Sequence, residues 1–385
     1  MLFSQDYRHM RIAVNTRMLQ NNKMEGIGYF TYETFRRITR DHPEHEFIFI
    51  FDRPFSQDFI FSSNVKGVFS GPRAGHPFLW FIWYEWIIPA ILKKEKADMF
   101  VSCDGFVSLR SNVKSVAVIH DINFEHYPGD LPFLIRKYLR FFFPKFAKRA
   151  NRIATVSDFS RKDLAEHYQI NPEKIDLTYN GVGDSYKPLS EEEKKEMKDK
   201  YAGGNDYFLF VGALHARKNI SRLLTAFDIF KKHTGSSMKL ILAGTRRWWT
   251  AEMEQAFSSM HFKGEVVFTG RLEDSELRKL TGAAFAMTYV SVFEGFGIPI
   301  LEAFRSKVPL ITSHTSAMPE IGGDAAYYVN PFSEENIAAA MEKLSNESVL
   351  RDELSNKGLS RSLSFNWDQT AASLWSCICK ASGIN

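Results

Sequence analysis

The sequence predicts an α/β protein made of two doubly wound, Rossmann-like domains, each a parallel sheet covered by helices. Three observations carry this expectation. Short β-rich runs alternate with helical patterns from end to end. Most of these runs are continuously apolar rather than alternating, as strands buried on both faces are. The chain has 385 residues, too many for one ordinary core and suited to two domains of roughly 100–200 residues each.

The strand-like runs follow in order. "RIAVNT" begins at Arg11, "EFIFIF" at Glu46, "ADMFVS" at Ala97, "SVAVIH" at Ser115, "RIATVS" at Arg152 and "KIDLTY" at Lys174. After them come "YFLFVGA" at Tyr207, "KLILAG" at Lys239, "EVVFTG" at Glu265, "FAMTYVS" at Phe285, "VPLITS" at Val308 and "AAYYVN" at Ala325. Between them the period changes. In "NISRLLTAFDIF", Ile220, Leu223, Leu224 and Phe227 recur at i, i+3, i+4 and i+7, the stripe of an amphipathic helix. The alternation pauses once, from Gly181 to Asp206, in a polar, charge-rich, glycine-flanked stretch whose middle reads as a surface helix. The start of that stretch sets the boundary: residues 1–180 form an N-terminal domain, 181–365 a C-terminal domain, and 366–385 a final helix. Doubly wound sheets bind ligands at the carboxyl ends of their strands, so two such domains are expected to face each other across a cleft.

Composition excludes several classes. The apolar fraction of 44% and charged fraction of 24% are ordinary for a globular protein. A net charge of +4 is mild and argues against a dedicated nucleic-acid binder. Cys103, Cys377 and Cys379 lack metal-ligand spacing and read as reduced thiols of a cytoplasmic protein. The most apolar stretch, "FLWFIWYEWIIPAIL" from Phe78, falls short of the ~20 residues of a membrane span and contains Glu85 and Pro89. "MLFSQDYRHM" lacks the apolar core of a signal peptide. The first strand pattern starts at Met10, so the residues before it read as an extension or a mis-assigned start.

The chemistry-bearing residues gather at strand ends. "FAMTYVSVFEGFGIPILEAF" reads as strand, tight loop and helix, with Glu294 and Glu302 eight positions apart. Gly295 and Gly297 permit backbone conformations or close approach that a Cβ would block. Pro299 suits the first turn of a helix, where its missing N–H is not needed. Glu294 therefore falls on the loop and Glu302 about a turn into the helix, addressing different parts of one extended ligand. Between them lies a helix amino end, a ready anion site. A polyol at the loop, a phosphate at the helix start and a second polyol along the helix describe a sugar nucleotide. Alone, a pair of glutamates at this spacing is also what a capped helix with incidental carboxylates shows.

Three further motifs add to it. In "FVGALHARKNI" a strand ends at Gly212, and Arg217 and Lys218 sit in the loop before the next helix. Cations there neutralise a diphosphate, arginine as a planar fork and lysine as a point charge; a solvated loop with ordinary charges is the other reading. "MEGIGYFTYETF" puts Gly26 and Gly28 in a loop opening a helix, with Thr31 where a dinucleotide fingerprint has its third glycine. Such a loop either lets backbone approach a ligand across the cleft or is simply flexible. "VAVIHDINF" ends a buried strand with His120 and Asp121, and a lone histidine at a strand end serves structure more often than catalysis.

Together these motifs resemble the retaining glycosyltransferases of the GT-B fold, family 4 or group 1, and in particular its mannosyltransferases. The resemblance runs from Met10 to the last helix. "EGFGIPILEA" resembles the family's E-x7-E signature, "GALHARKNI" its phosphate-binding loop, "GIG" its N-terminal glycine loop and "HD" at His120 its cleft histidine. "TVSDFSRKDL", "NGV" at Asn180 and "MPEIGGDAAYYVNP" are similar to other family landmarks. The stretch from Trp367 resembles the helix that crosses back to brace the N-terminal domain.

The resemblance implies an acceptor-binding N-terminal domain and a nucleotide-sugar-binding C-terminal one. It makes His120, Lys218 and Glu294 catalytic. Glu294 takes the donor-sugar hydroxyls, beside the backbone of Gly295, Phe296, Gly297 and Ile298, and Glu302 takes the ribose. Lys218 with Arg217 neutralises the diphosphate, next to Gly212, and His120, with Asp121, Gly26 and Gly28, lines the sugar pocket. One departure stands out: many members have arginine straight after the glycine of the phosphate strand, where this chain has Ala213.

The sequence contains no D-x-D pair, so leaving-group charge is expected to fall to Lys218, Arg217 and the helix amino end, with no metal and no cofactor. The resemblance implies same-face substitution in a closed, water-excluding cleft. The favoured donor is GDP-mannose and the competitor a UDP-sugar; a hydrolase or epimerase on the same fold and a non-catalytic sugar-nucleotide binder are the other classes. The acceptor is expected to be a glycan or lipid-linked glycan of surface polysaccharide synthesis. Leu131–Arg152 carries seven basic residues and no acidic one. It reads either as a core-packed helix with a solvated basic face or as a peripheral contact with an anionic membrane at its inner face.

Overall fold

In the computed structural model, which describes residues 9–21 and 24–383, the chain forms two compact units. One comprises the chain up to Asn180 and from Trp367 onward; the other is Gly181–Asn366. The opening segment read as an extension lies, up to Arg8, outside the described residues.

The first unit holds seven parallel strands: β1 (Arg11–Asn15), β2 (Glu46–Phe51), β3 (Val65–Phe69), β4 (Met99–Ser102), β5 (Lys114–Ile119), β6 (Arg152–Thr155) and β7 (Ile175–Leu177). They pair in the order β3-β2-β1-β4-β5-β6-β7. The second unit holds six: β8 (Tyr207–Val211), β9 (Lys239–Ala243), β10 (Val266–Gly270), β11 (Ala286–Tyr289), β12 (Leu310–Ser313) and β13 (Tyr327–Val329). Their order is β10-β9-β8-β11-β12-β13, again all parallel. Strand order reverses between β1 and β4 in one sheet and between β8 and β11 in the other. These are the topological switch points at which open α/β sheets form ligand crevices.

Every strand expected from the sequence is present. One more, β3, was not expected. "VKGVF" lies at the sheet edge and buries only part of itself, with Lys66 exposed and paired to Glu95 at 2.6 Å. Its Gly67 leaves room for the Phe55 ring, which a Cβ would meet at 2.3 Å. An edge strand with a lysine and a glycine at its middle lacks the continuous apolar run that marks its neighbours.

The polar stretch after Gly181 forms the expected surface helix, Glu191–Ala202. Ser190 and Glu193 close a capping box at its start, and Gly203 ends it in the left-handed conformation. The aromatic stretch after Pro77 divides. Trp83, Tyr84 and Ile88 enter the core of the first unit, whereas Phe78 and Trp86 face outward. The basic stretch is a helix, Phe133–Arg149, that buries Tyr138, Phe143, Phe146 and Ala147 in the same core. Cys103, Cys377 and Cys379 form no disulfide.

The last helix, Trp367–Ser382, belongs to the first unit. Trp367 packs edge-on to Phe30 at 6.4 Å, and Trp375 stacks on His42 at 3.8 Å. Arg37 pairs with Asp368 at 2.7 Å, and Lys380 with Asp176 at 2.7 Å. Leu374, Cys377 and Ile378 on its inner face are fully buried. Leu374→Ala is therefore expected to cost about 2–5 kcal/mol, lowering the urea midpoint of the transition that reports the first unit. An unchanged midpoint would show the helix to be loosely held.

Candidate active site

The switch point of the second sheet is built from two loops. The first leaves β8 at Gly212, whose φ is 142°. Here β8 and β9 come so close that a Cβ on Gly244 would lie 1.8 Å from the Gly212 carbonyl oxygen. A single turn, Ala216–Lys218, follows, opened by His215, whose Nδ1 accepts from the Arg217 amide at 3.3 Å. Asn219 ends the turn in the left-handed region at φ 62°, where asparagine is tolerated better than most residues. Its buried amide donates to Val290 O at 3.0 Å and Pro331 O at 2.6 Å, tying this loop to the end of β11. Arg217 and Lys218 are thereby held facing the second loop.

That second loop leaves β11 at Val290. It is fastened along its length: Ser313 Oγ donates to Ser291 O at 2.6 Å, the Val292 amide to Arg217 O at 2.9 Å, and the Glu294 amide to Ser316 Oγ at 2.9 Å. Gly297, at φ 96°, turns the chain into the helix Ile298–Arg305, and a Cβ there would meet Ile300 Cδ1 at 3.0 Å. Pro299 stands in the first turn, and no side-chain hydrogen bond caps this helix among the described residues.

The two loops meet at Glu294, 6% exposed. Lys218 Nζ lies 2.5 Å from its Oε1 and Arg217 Nη1 2.9 Å from its Oε2. Lys218 also donates to the Tyr289 hydroxyl at 2.8 Å. Burial alone would push the Glu294 carboxyl up, but the charges of Lys218 and Arg217 outweigh it and hold the group down at about 2. It is a carboxylate at any working pH. The same burial, with the Glu294 charge beside it, pushes the Tyr289 phenol well up, so it stays neutral.

Glu302 has the opposite environment. It lies on the helix after Gly297, and among the described residues no cation acts on its carboxyl. Burial raises its carboxyl to about 7, against a hydrogen bond from Tyr186 that lowers it and with the Asp274 charge raising it further. Tyr186 comes from the segment after Gly181, which Asp184 anchors to Arg305 at 3.0 Å. The structure thus brings Arg217, Lys218 and Glu294 into direct contact and sets Glu302 a turn further along the helix that follows. Sequence reasoning passed over Tyr289, Tyr186, Asn219 and Ser316. Tyr289 had a signal, a polar tip closing an apolar strand; Tyr186 had none, because its partner lies more than a hundred residues away.

The remaining candidates belong to the first unit. His120 follows β5; its Nε2 lies 3.0 Å from Cys103 O, and its ring meets Phe30 edge-on at 5.0 Å. Burial depresses its pKa, which favours the neutral ring. Asp121 Oδ1 accepts from the Asn123 amide at 3.0 Å, opening a short turn. Gly26 and Gly28 are not in a loop: both lie in the first turn of the helix Gly26–Asp41. Gly28 is needed there for packing, since a Cβ would come within 2.8 Å of Met18 O. At the first sheet's own switch point lies a network the sequence did not reveal. Asn15, Tyr84, Ser102 and Arg17 all bond to Asp104, the Arg17 Nε contact being 2.5 Å.

Two Rossmann-like parallel sheets, with a cationic loop and a carboxylate loop meeting at one switch point, match the GT-B fold expected from the sequence. Comparison with known proteins gives the family. Residues 24–186 match the family model described as "Glycosyltransferase Family 4", and residues 191–361 match "Glycosyl transferases group 1". The chain is 30% identical over 260 residues to O-antigen chain mannosyltransferase B of Escherichia coli, covering 66% of this chain and 67% of that one. It is 30% identical over 268 residues to O-antigen chain mannosyltransferase RfbU of Salmonella typhimurium, covering 70% and 71%. The solved structure of Anabaena Alr3699/HepE, in complex with UDP and glucose, superposes with a TM-score of 0.76 at 14% identity, over 97% of this chain and 100% of that one. The chain belongs to the family 4, group 1 glycosyltransferases.

The carboxyl of Glu302 makes a pH prediction. Its pKa is raised on folding from 4.5 to about 7. Its contribution to stability is thus fully present below pH 4.5 and is lost as pH rises through 7, roughly 3 kcal/mol in all. The melting temperature of the ligand-free protein is expected to fall across this window more steeply than that of Glu302→Gln. Parallel curves for the two proteins would refute the assignment.

Proposed function

We propose that the protein transfers a mannosyl residue from GDP-mannose, with retention of anomeric configuration, to a glycan or lipid-linked acceptor in surface polysaccharide synthesis. The observation that carries the transfer chemistry is the contact of Lys218, Arg217 and Glu294 at the switch point of the second sheet. The choice of mannose is supported by the two relatives, both mannosyltransferases by name.

In this reading Lys218 and Arg217 take the diphosphate and stabilise the charge that develops on it as the bond to the sugar breaks. Glu294 turns to the sugar hydroxyls and Glu302 accepts from the ribose. The acceptor oxygen bonds to the anomeric carbon on the face the phosphate leaves, and the departing phosphate oxygen takes the acceptor's proton. No further group is consumed, and with two cations in place the reaction is proposed to need no metal.

Incubation of GDP-mannose or UDP-sugars with and without an acceptor-containing membrane extract tests this. Mannosylated product formed from GDP-mannose in EDTA, with the donor's anomeric configuration by NMR, is the expected result. Turnover only of a UDP-sugar would change the donor, and release of free sugar without acceptor would make the protein a hydrolase. The two glutamates are expected to fail differently. Glu302→Ala should raise the donor KM by the roughly 1.5–3 kcal/mol of a charged hydrogen bond, and Glu294→Ala should mainly lower kcat. Identical defects would contradict the division of roles.

The proposal also puts the enzyme on the cytoplasmic side, at an anionic membrane. The helix Phe133–Arg149 exposes Leu134, Lys137, Phe141, Lys145 and Lys148 at spacings of three and four, one face mixing apolar and basic groups. Lys145 Nζ lies 3.3 Å from the centre of the Phe141 ring, and Phe81 meets Phe142 at 5.9 Å. Phe78, 66% exposed, extends the apolar part of this surface. Among the described residues no helix is long and apolar enough to cross a membrane. Attraction of about 1 kcal/mol per surface lysine should make binding reversible and salt-sensitive. Sedimentation with phosphatidylglycerol vesicles but not phosphatidylcholine vesicles is expected, and its loss in Lys137→Glu/Lys145→Glu. Indifference to anionic vesicles at low salt would leave the face merely solvated.

A further inference from the structure

We propose that Tyr289 is a positioning residue that keeps the Lys218 ammonium on the donor diphosphate while Glu294 turns to the sugar. This rests on the reading of Lys218 and Glu294 as donor-binding groups.

The ligand-free geometry poses the problem. Glu294 holds both cations at once, with one oxygen on Lys218 and the other on Arg217. A carboxylate that also accepts from the sugar hydroxyls shares its two oxygens among more partners, and its hold on the ammonium weakens. Lysine is a flexible point charge on four methylenes, unlike the fork of arginine, and needs a second fixed partner to stay in place. The Tyr289 hydroxyl is that partner, 2.8 Å from Nζ.

Tyr289 is rigid enough for the task. It closes β11 in the middle of the sheet and is almost wholly buried. Its carbonyl oxygen takes the Thr312 hydroxyl at 2.8 Å. Its ring stacks on Phe210 at 6.2 Å with an interplanar angle of 16°. It also lies against the start of the next helix, where a Cβ on Gly297 would be 3.4 Å from its Cε1. The space itself needs only a ring, and phenylalanine would fill it without burying a hydroxyl. A buried hydroxyl is costly unless bonded, and this one accepts from Lys218 and donates to the Glu294 carboxylate.

The charge on the leaving phosphate grows as the bond to the sugar breaks, so a misplaced Lys218 is felt more in the transition state than in the bound donor. The test compares full-length wild type, Tyr289→Phe, Lys218→Ala and the double variant. Each is assayed for donor turnover with acceptor-containing extract, and titrated with GDP or UDP, whichever stabilises the wild type. Tyr289→Phe is expected to melt with the wild type, lose about ten- to hundredfold in kcat and change donor KM less than about threefold. The nucleoside diphosphate carries the leaving group's full charge, so its affinity should fall along with kcat. In the Lys218→Ala background the tyrosine substitution is expected to cost several-fold less than in the wild type, since only its hydrogen bond to Glu294 is then lost. Unchanged kcat, or the same loss in both backgrounds, overturns the proposal. A Lys218→Ala protein that binds and turns over donor like wild type overturns the donor reading, and the proposal with it. A crippled Lys218→Ala beside a normal Tyr289→Phe removes the tyrosine alone.

Discussion

A carboxylate buried between an ammonium and a guanidinium is stable only if all three are fixed. Take the carboxylate away and both cations are left unpaired in a low-dielectric site, at a cost of several kcal/mol. Much of the second unit's local geometry serves that requirement. Asn219 gives up ordinary backbone conformation to tie the cationic loop to β11 and to Pro331. Ser316, also in the left-handed region, accepts the Glu294 amide. The close approach of Gly212 and Gly244, where a Cβ on Gly244 would strike the Gly212 carbonyl, marks where the first loop leaves the sheet. None of these groups has to touch a substrate for the site to depend on it.

The two glutamates show how one short segment yields two kinds of carboxyl. Glu294 sits where cations converge, and its acidity is strengthened despite burial. Glu302 sits on the helix with a phenol for company, and burial weakens its acidity toward neutrality. Their spacing in sequence does not decide this; what surrounds them does. A group held permanently ionised suits lasting acceptance of hydrogen bonds from cations and hydroxyls. A group near neutrality can exchange a proton as hydrogen-bonding partners come and go.

The alternation of strands and helices was legible because a parallel sheet buries both faces and so writes continuous apolar runs into the chain. β3 escaped because Lys66 and Gly67 at its middle break any such run. Glu294, Arg217 and Lys218 were legible as candidates because each sits in a short, local motif beside a strand end. Their mutual contact was not, since it is made across the switch point by residues some 76 positions apart. The same holds for Tyr186 with Glu302 and for Arg17 with Asp104, pairs that only the folded chain brings together. The glycines near the amino end misled for a different reason. Gly28 is required by the packing of Met18 against a helix turn, and that demand looks in sequence like a demand for a mobile loop.

The chain leaves the first unit at Asn180 and re-enters it at Trp367. The second unit is therefore an insertion, and its covalent continuity ends before the first unit's last piece exists. During synthesis, 186 consecutive residues, Gly181–Asn366, emerge as a self-contained sheet with its helices. The earlier-made half must wait with an uncovered apolar face until the final helix clears the ribosome. The usual order, in which the N-terminal domain is finished first, is reversed. A chain lacking this helix would carry a finished second unit joined to a first unit whose apolar side, the one that meets Leu374, Cys377 and Ile378, lies open to water.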